Sequence, residues 1–291
     1  MGERYKRFVE RVQNSPRLNH WFEIAVEAQV FYQSKLFRPP PYGRFPPIWM
    51  GYKKPFYGLL AYGGELTPET LLYAYSKGIY PFYETPPIEW CSCDPRMVLF
   101  LEKMKLKKGL RPLIKSGKYK VTFDTAFEQV VRACGTGDDR EGCTWIIPER
   151  IEVALELHRR GQNHSIEVWN EAGELVGGLF GMDMGKLFIS ESAFHREPNA
   201  GKVAVAYLNC HLQHWGYVLN DIQWFWEHFR RMGYEDIPRK QYLRLIKTLV
   251  TEPTRIGTWS VDESLDVGNW IPSQPGSQVK AASLIYSRIR F

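Results

Sequence analysis

Residues 165–191 read SIEVWNEAGELVGGLFGMDMGKLFISE, and the spacing of their apolar runs decides the fold. Ser165–Trp169, Glu174–Phe180 and Lys186–Glu191 are rich in Val, Ile, Leu, Phe and Trp, the composition of strands. A turn containing Gly173 joins the first two, and the stretch predicts an antiparallel meander. Downstream, a helix is expected over about 200–215, stopping before Gly216, then a buried strand Tyr217–Gln223. A last amphipathic helix carries Tyr242, Leu245, Ile246 and Leu249 on its apolar face, and no period is visible after residue 251.

Upstream, Tyr119–Phe123 alternates like a strand, and Asp124 is expected to cap a helix with Phe127, Val130, Val131 and Cys134 at i, i+3, i+4 and i+7. A second helix runs from near Pro148 to Gly161 with Ile151, Ala154, Leu155 and His158 on one face, where His158 reads as a packed core histidine. Thr67-Pro68-Glu69 and Lys77-Gly78 start and stop a short helix over 68–77. Ile88–Cys93 and Met97–Leu101 read as extended around an Asp94-Pro95 turn. Two helical runs, one with Phe8, Val9 and Val12 and one with Trp21, Phe22, Ile24, Ala25 and Phe31, precede a connector containing Pro39, Pro40, Pro41, Gly43, Pro46 and Pro47. Helices before a mixed sheet, a central meander, then helix and strand make an α+β chain.

With 291 residues, 44% hydrophobic and 14% aromatic, the chain can bury one large domain and a smaller companion. The charged N-terminus carries no secretory signal, and no window holds the roughly 18 apolar residues of a membrane span. A cytoplasmic, monomeric protein is expected. Cys91, Cys93, Cys134, Cys143 and Cys210 are odd in number and lack zinc-finger spacing, so they read as ordinary buried thiols and no metal site is expected. P-loop, dinucleotide, zincin and Gly-x-Ser-x-Gly motifs are absent, which removes the common NTPase, dehydrogenase, metalloprotease and α/β-hydrolase readings.

The net charge is +6, yet Lys103, Lys105, Lys107, Lys108, Arg111, Lys115, Lys118 and Lys120 fall within eighteen residues that hold no Asp or Glu. Such a cluster attracts phosphate backbones, or it is a solvated face that binds nothing; composition leaves both open.

Several strings then converge. Gly58–Leu66 (GLLAYGGEL), Tyr73–Phe82 (YAYSKGIYPF), and Trp90 and Ser92 with Asp94-Pro95-Arg96 stand in that order. Thr144-Trp145-Ile146, His164–Trp169, Leu175–Gly178, Glu191-Ser192, Asn199-Ala200 with Lys202, Asp221 with Gln223, and Ile237-Pro238-Arg239 with Tyr242 continue it. Together they resemble the bacterial leucyl/phenylalanyl-tRNA-protein transferases from about residue 58 to about residue 245.

That resemblance implies an acetyltransferase-like (GNAT) catalytic domain over 97–250 and a small N-terminal domain over 58–96. Residues 1–57 form an extension and connector, and 251–291 a tail. It implies transfer of Leu, Phe or a Met-like residue from charged tRNA to proteins with N-terminal Arg or Lys, marking them for degradation, without a cofactor. An aminoacyl-tRNA ester is already activated, and an N-terminal amine of pKa about 7.7–8.0 is partly neutral at cell pH, so only positioning, modest proton removal and oxyanion support are needed.

Asp221 and Gln223, two apart on an expected strand, would share a face. By themselves they read as a capping Asp beside a strand-end Gln; the resemblance makes them the catalytic pair, with the Gln carbonyl accepting from the amine. It implies Glu191 and Ser192 at the acceptor site, and Phe82 and Trp145 at the terminal adenosine. An aminoacyl pocket would be lined by Leu179, Phe188, Ala193, Val205, Leu212, Asn220 and Trp226. Here Asn220 adds polarity, Ala193 adds room and Trp226 has the bulk to fill some of it. The basic segment would meet the acceptor stem. Two rivals stay open: a non-enzymatic tRNA or N-degron binding protein, and another N-acyltransferase, for which the turn His195–Gly201 with one glycine and a proline is a poor pyrophosphate cradle.

Overall fold

Alternation along the meander divides the core. Odd and even residues of each strand point to opposite faces, so both faces of the sheet can be covered. In the computed structural model, which describes residues 16–52, 58–136 and 144–272, the strands are β1 Leu59–Tyr62, β2 Tyr80–Pro81, β3 Glu89–Cys91, β4 Arg96–Phe100, β5 Lys120–Phe123, β6 Asn163–Trp169, β7 Leu175–Met184, β8 Leu187–His195, β9 Leu219–Asp221 and β10 Glu235–Ile237. β1, β3 and β2 form a small antiparallel sheet, and the other strands a seven-stranded sheet in the order β10-β4-β9-β8-β7-β6-β5.

Among the described strands only β8 and β9 pair in parallel; such a pair needs a crossover, which the helix Ala200–His214 supplies. The meander expected from residues 165–191 is β6-β7-β8, with Ile166 opposite Leu179 and Leu179 opposite Ala193. One face, with Leu99, Leu179 and Phe188, packs under the Ala200–His214 helix. The other, with Val98, Leu187, Ile189 and Leu219, meets Leu71, Tyr75 and Trp90 from the N-terminal elements and Tyr242, Leu245 and Ile246 from the helix Arg239–Leu249.

Local signals explain several ends. Thr67 Oγ1 accepts from Thr70 N at 3.1 Å at the start of the helix Pro68–Ser76. Gly78, at φ +74°, follows it; a Cβ there would come within 3.0 Å of the Leu243 and Tyr242 side chains, so this glycine lets Tyr242 approach the N-terminal elements. His158 packs as expected, stacked on Phe127 at 4.0 Å with Nδ1 on Asn163 O at 2.8 Å. Cys91, Cys93, Cys134 and Cys210 are buried; Cys143, and the helical run with Phe8, Val9 and Val12, lie outside the described residues.

Two expectations are corrected. Asp124 does not cap the helix Phe127–Gly135: it sits at φ +58°, and its carboxylate instead accepts from Ser165 N at 2.9 Å, His164 Nδ1 at 2.8 Å and Trp259 N at 2.7 Å. The strand expected over 217–223 ends at Asp221. The described residues after 251, to 272, form neither helix nor strand, yet they complete the core: Trp259 is buried and stacks on His164 at 3.8 Å.

Asp183 of β7 anchors the same segment by accepting from Arg255 N at 3.0 Å. Burial pushes its carboxyl up to about 7, against the Tyr217 hydroxyl, the Arg255 amide and the Lys186 and Arg255 charges. The folded protein therefore keeps a proton that the unfolded chain loses near pH 4, so this group's contribution to stability falls as pH rises from about 4 through about 7. Asp183→Asn keeps the acceptor without that loss. Thermal melts at pH 5 and pH 8 should show the variant gaining on the parent by roughly 2–4 kcal/mol at the higher pH; a pH-independent difference would contradict this.

Candidate active site

Asp221 ends β9 with both oxygens taken. Arg96 Nε lies 2.9 and 3.1 Å from its two oxygens, Arg96 Nη2 2.7 Å and the Tyr242 hydroxyl 2.6 Å from Oδ2, and Gln223 N donates to Oδ1 at 2.8 Å. The groups come from β4, from the Arg239–Leu249 helix and from the turn after β9, and strand pairing of Val98 with Asp221 brings Arg96 alongside. The Arg96 guanidinium is itself flanked by the rings of Tyr80, 4.8 Å away, and Tyr242, 4.7 Å away.

Burial opposes the charge on Arg96, but Asp221 and Tyr242 more than compensate, so its pKa is raised. Burial and then the Asp221 charge raise Tyr242, which stays a hydroxyl donor. Replacing a buried partner of such an ion pair leaves the other charge uncompensated, a loss of about 3–5 kcal/mol.

Gln223 does not share a strand face with Asp221. It lies past the strand at φ +69°, a left-handed conformation that costs a non-glycine residue on the order of 1–2 kcal/mol. The Asp221 side chain holds that turn closed through the Gln223 amide. Gln223 Nε2 is buried with no hydrogen-bond partner among the described residues. Non-glycine residues held at positive φ collect at functional sites.

Around this centre stand aromatic side chains. Phe82 meets Trp224 edge-on at 4.4 Å, and Tyr80 meets it at 6.3 Å. The Tyr83 hydroxyl donates to Glu149 Oε2 at 2.9 Å, tying the residue after Phe82 to the first turn of the helix Pro148–Arg159, which follows Trp145. Phe82 and Trp145 are both half-buried and flank this junction. Trp226 does not fill a pocket: its side chain is 51% exposed at the start of the short helix Glu227–Arg230, with its ring 6.1 Å from His228.

Leu179, Phe188, Val205 and Leu212 are buried in one cluster under the Ala200–His214 helix, and half-buried Ala193 packs against it. Asn220 is also fully buried, and its polarity is consumed internally: Oδ1 accepts from Ser190 at 2.9 Å, while Nδ2 donates to Asn209 Oδ1 at 2.9 Å and Tyr234 Oη at 3.2 Å. Glu191 is not open to solvent. It forms an ion pair with Arg150, both side chains fully buried, and burial raises its pKa against the pull of Arg150. Ser192 beside it is half-buried.

The basic segment is uneven. Lys103 pairs with Glu235, Lys118 with Glu197 at 3.4 Å, and Arg111 donates to Gly268 O at 3.1 Å. Lys115 lies close enough to Asp266 to lower that carboxyl, after the hydrogen bonds from Asn269. Among the described residues, Lys105, Lys107, Lys108 and Lys120 are exposed without a carboxylate partner.

Arg96 and Tyr242 stand in the strings that carry the resemblance, but nothing in their spacing links them to Asp221, more than twenty positions away. Arg150 gave no signal at all.

The chain matches two family models: leucyl/phenylalanyl-tRNA protein transferase over residues 98–247, and the N-terminal domain of the same family over residues 64–94. It is 42% identical over 219 residues to a leucyl/phenylalanyl-tRNA–protein transferase of Nitrosomonas eutropha, covering 75% of this chain and 93% of the relative. One from Legionella pneumophila is 42% identical, with 70% of this chain and 92% of the relative covered. One from Pseudomonas syringae pv. tomato is 44% identical, with 68% and 86% covered. Among solved structures, L-PGS from Bacillus licheniformis covers 79% of this chain and 74% of its own at 12% identity, with a TM-score of 0.34, too low to assign a fold.

Proposed function

The chain belongs to the leucyl/phenylalanyl-tRNA protein transferase family, and we propose that it moves leucine or phenylalanine from the 3′ ester of a charged tRNA to the N-terminal amine of acceptor proteins at the Asp221–Gln223 turn. It is an enzyme of the aminoacyltransferase class, acting on aminoacyl-tRNA and protein acceptors. Acceptors with N-terminal Arg or Lys are the class the family resemblance implies, and such tagging would mark them for degradation. We read the large mixed sheet as an acetyltransferase-like domain and residues 58–96 as the small companion. No helix among the described residues is long and apolar enough to cross a membrane.

The observation that carries the reading is the fully bonded Asp221 carboxylate. Arg96 and Tyr242 fix it, it fixes the Gln223 turn, and the side-chain carbonyl of Gln223 is thereby presented to the incoming amine. The neutral amine attacks the ester carbonyl; the C–N bond forms, the C–O bond to the ribose breaks, and the amine proton passes by way of the Gln223 carbonyl to the departing ribose oxygen. Pre-positioning does most of this work, since the ester needs no further activation. Leu179, Phe188, Val205 and Leu212 suit an apolar aminoacyl side chain, and with Asn220 turned inward the wall offers it no free amide. Phe82 and Trp145 are the candidates to stack on the terminal adenosine.

Incubation with tRNAs charged singly with labelled amino acids, and with peptides starting in Arg, Lys, Asp, Glu or Ala, tests the reading. Labelled Leu or Phe should appear on a peptide N-terminus. Labelling with no tRNA and peptide combination would leave the binding-protein alternative in its place.

A further inference from the structure

The parallel pair at the centre of the large sheet is short. Among the described residues β8 pairs with β9 at Leu187, Phe188 and Ile189, yet it continues along β7 as far as His195. The chain past β9 follows β4 instead: Ile222 N donates to Met97 O, and Met97 N to Gln223 O, both at 3.1 Å. A gap therefore opens beyond Ile189, between β8 and the residues from Gln223 onward. Leu187, Phe188 and Ile189 are fully buried at its base. On the β8 wall Ser192 and Ala193 are half-buried, and on the opposite side Trp226 is exposed.

The mouth of this gap is aromatic and basic. The His228 ring lies 6.1 Å from that of Trp226. Burial, and then the charges of Lys202 and His195, lower the pKa of His228, so the first turn of the Ala200–His214 helix and the end of β8 stand at the same rim. Lys202 Nζ donates to Asn199 Oδ1 at 2.7 Å and, among the described residues, has no carboxylate partner. The carboxylates around it are engaged: Glu197 by Lys118 and Tyr119, Glu227 by Arg231, and Asp236 by Arg230. The rim keeps three basic side chains beside an open indole. An acidic peptide would use the charges and leave the ring idle; a single-stranded nucleic acid uses both, its phosphates on the cations and a base on the ring.

We infer that Trp226, His228, Lys202 and His195 form a subsite for the nucleotide that precedes the terminal adenosine of the charged tRNA: the indole stacks on its base, and the basic side chains take the phosphodiester joining the two. The inference deepens the transferase reading and rests on it. Gln223 and Trp226 are three residues apart, so their Cα atoms lie within about 11 Å of each other. An ester held at the Gln223 turn thus brings the next nucleotide to this rim. Phe82 meets Trp224, two residues earlier in the chain, which leaves the Trp226 ring for a second base. One base–aromatic stack contributes about 5–150-fold in affinity and tolerates any base. Trp226, Lys202, His195 and His228 are then positioning residues, which hold the donor without touching the reacting atoms.

The test compares three phenylalanyl esters as donors to one peptide beginning with Arg: the ester of adenosine, the ester of the dinucleotide cytidylyl-adenosine, and that dinucleotide with an abasic ribose in place of cytidine. With the parent, the full dinucleotide should exceed adenosine in kcat/KM by roughly 30–300-fold, chiefly through KM, and exceed the abasic donor by roughly 10–100-fold. Lys202→Gln with His228→Gln should cut the gain over adenosine at least about tenfold, flatten its salt dependence by about one in log–log slope, and leave transfer from the adenosine ester within about threefold of the parent. Trp226→Leu should bring the full and abasic dinucleotides within about threefold of each other, and Trp226→Tyr should restore most of the difference. Thermal melts identify any variant that has not folded, and the comparison of donors within the parent stands without them. A parent that uses all three esters within about threefold, a folded Trp226→Leu that keeps the parent's preference for the full dinucleotide, or a paired variant that loses activity equally on every donor overturns the inference and leaves the transferase standing. Absence of transfer from every ester, intact charged tRNA included, overturns the transferase reading and this inference with it.

Discussion

Asp221→Asn should lower transfer from charged tRNA to peptide by about three orders of magnitude, with tRNA affinity held within about threefold. Asparagine retains one acceptor oxygen, but its amide nitrogen would face either Arg96 or the Gln223 amide, both of which donate. Arg96 would then lie buried without its counterion. The loss would thus mix disturbed chemistry with disturbed folding, and two milder substitutions separate them. Gln223→Ala leaves the Asp221 pair intact and should still lower turnover by about 10²-fold or more. Tyr242→Phe removes one donor to Oδ2 without changing charge and should lower turnover by only about tenfold. Single-turnover transfer with preloaded tRNA, alongside thermal melts, measures both sides. A folded Gln223→Ala enzyme turning over within about twofold of the parent would remove Gln223 from the chemistry.

The meander was legible because each of its strands carries the apolar composition of a strand and a short gap joins it to the next, while Thr67-Pro68 and Gly78 marked a helix by local chemistry. Less was legible at the site, for definite reasons. The Gln223 turn is made by a side chain bonding its own neighbourhood, so the simple strand geometry that placed Asp221 and Gln223 on one face did not apply. Arg150 falls on a helix that is buried on two sides. Val153 and Leu157 face the cluster beneath the N-terminal elements, Ile151 and Ala154 face another, and the single-face periodicity had no place for an arginine between them. The segment after 251 has no period to read. Its described part, to residue 272, is held by Trp259 on His164 and Asp124, contacts almost a hundred or more positions away.

Removing the four unpaired lysines, as Lys105→Gln, Lys107→Gln, Lys108→Gln and Lys120→Gln together, should weaken tRNA binding by roughly 10–100-fold at low salt and reduce the slope of log K against log salt by about 2–4. The sheet explains why these matter more than their neighbours. β4 runs antiparallel to β9, so Arg96 lies at the end that carries Asp221, and the chain leaves for Lys103 at the opposite end. From there it passes along the helix Leu110–Lys115 to β5 at the far edge of the sheet. A ribose ester at Asp221 would therefore leave the basic segment facing phosphates further down the acceptor stem, which are read by charge rather than by sequence. Lys103 and Lys118 already have Glu235 and Glu197, and exchanging a paired lysine releases fewer counterions on binding. Lys103→Gln with Lys118→Gln is then the matched control, expected to change the slope by less than about one. Filter binding of uncharged tRNA at several salt concentrations reads both sets. Equal slopes for the parent and the fourfold variant would make the cluster a solvated face and send the search for the stem contact elsewhere.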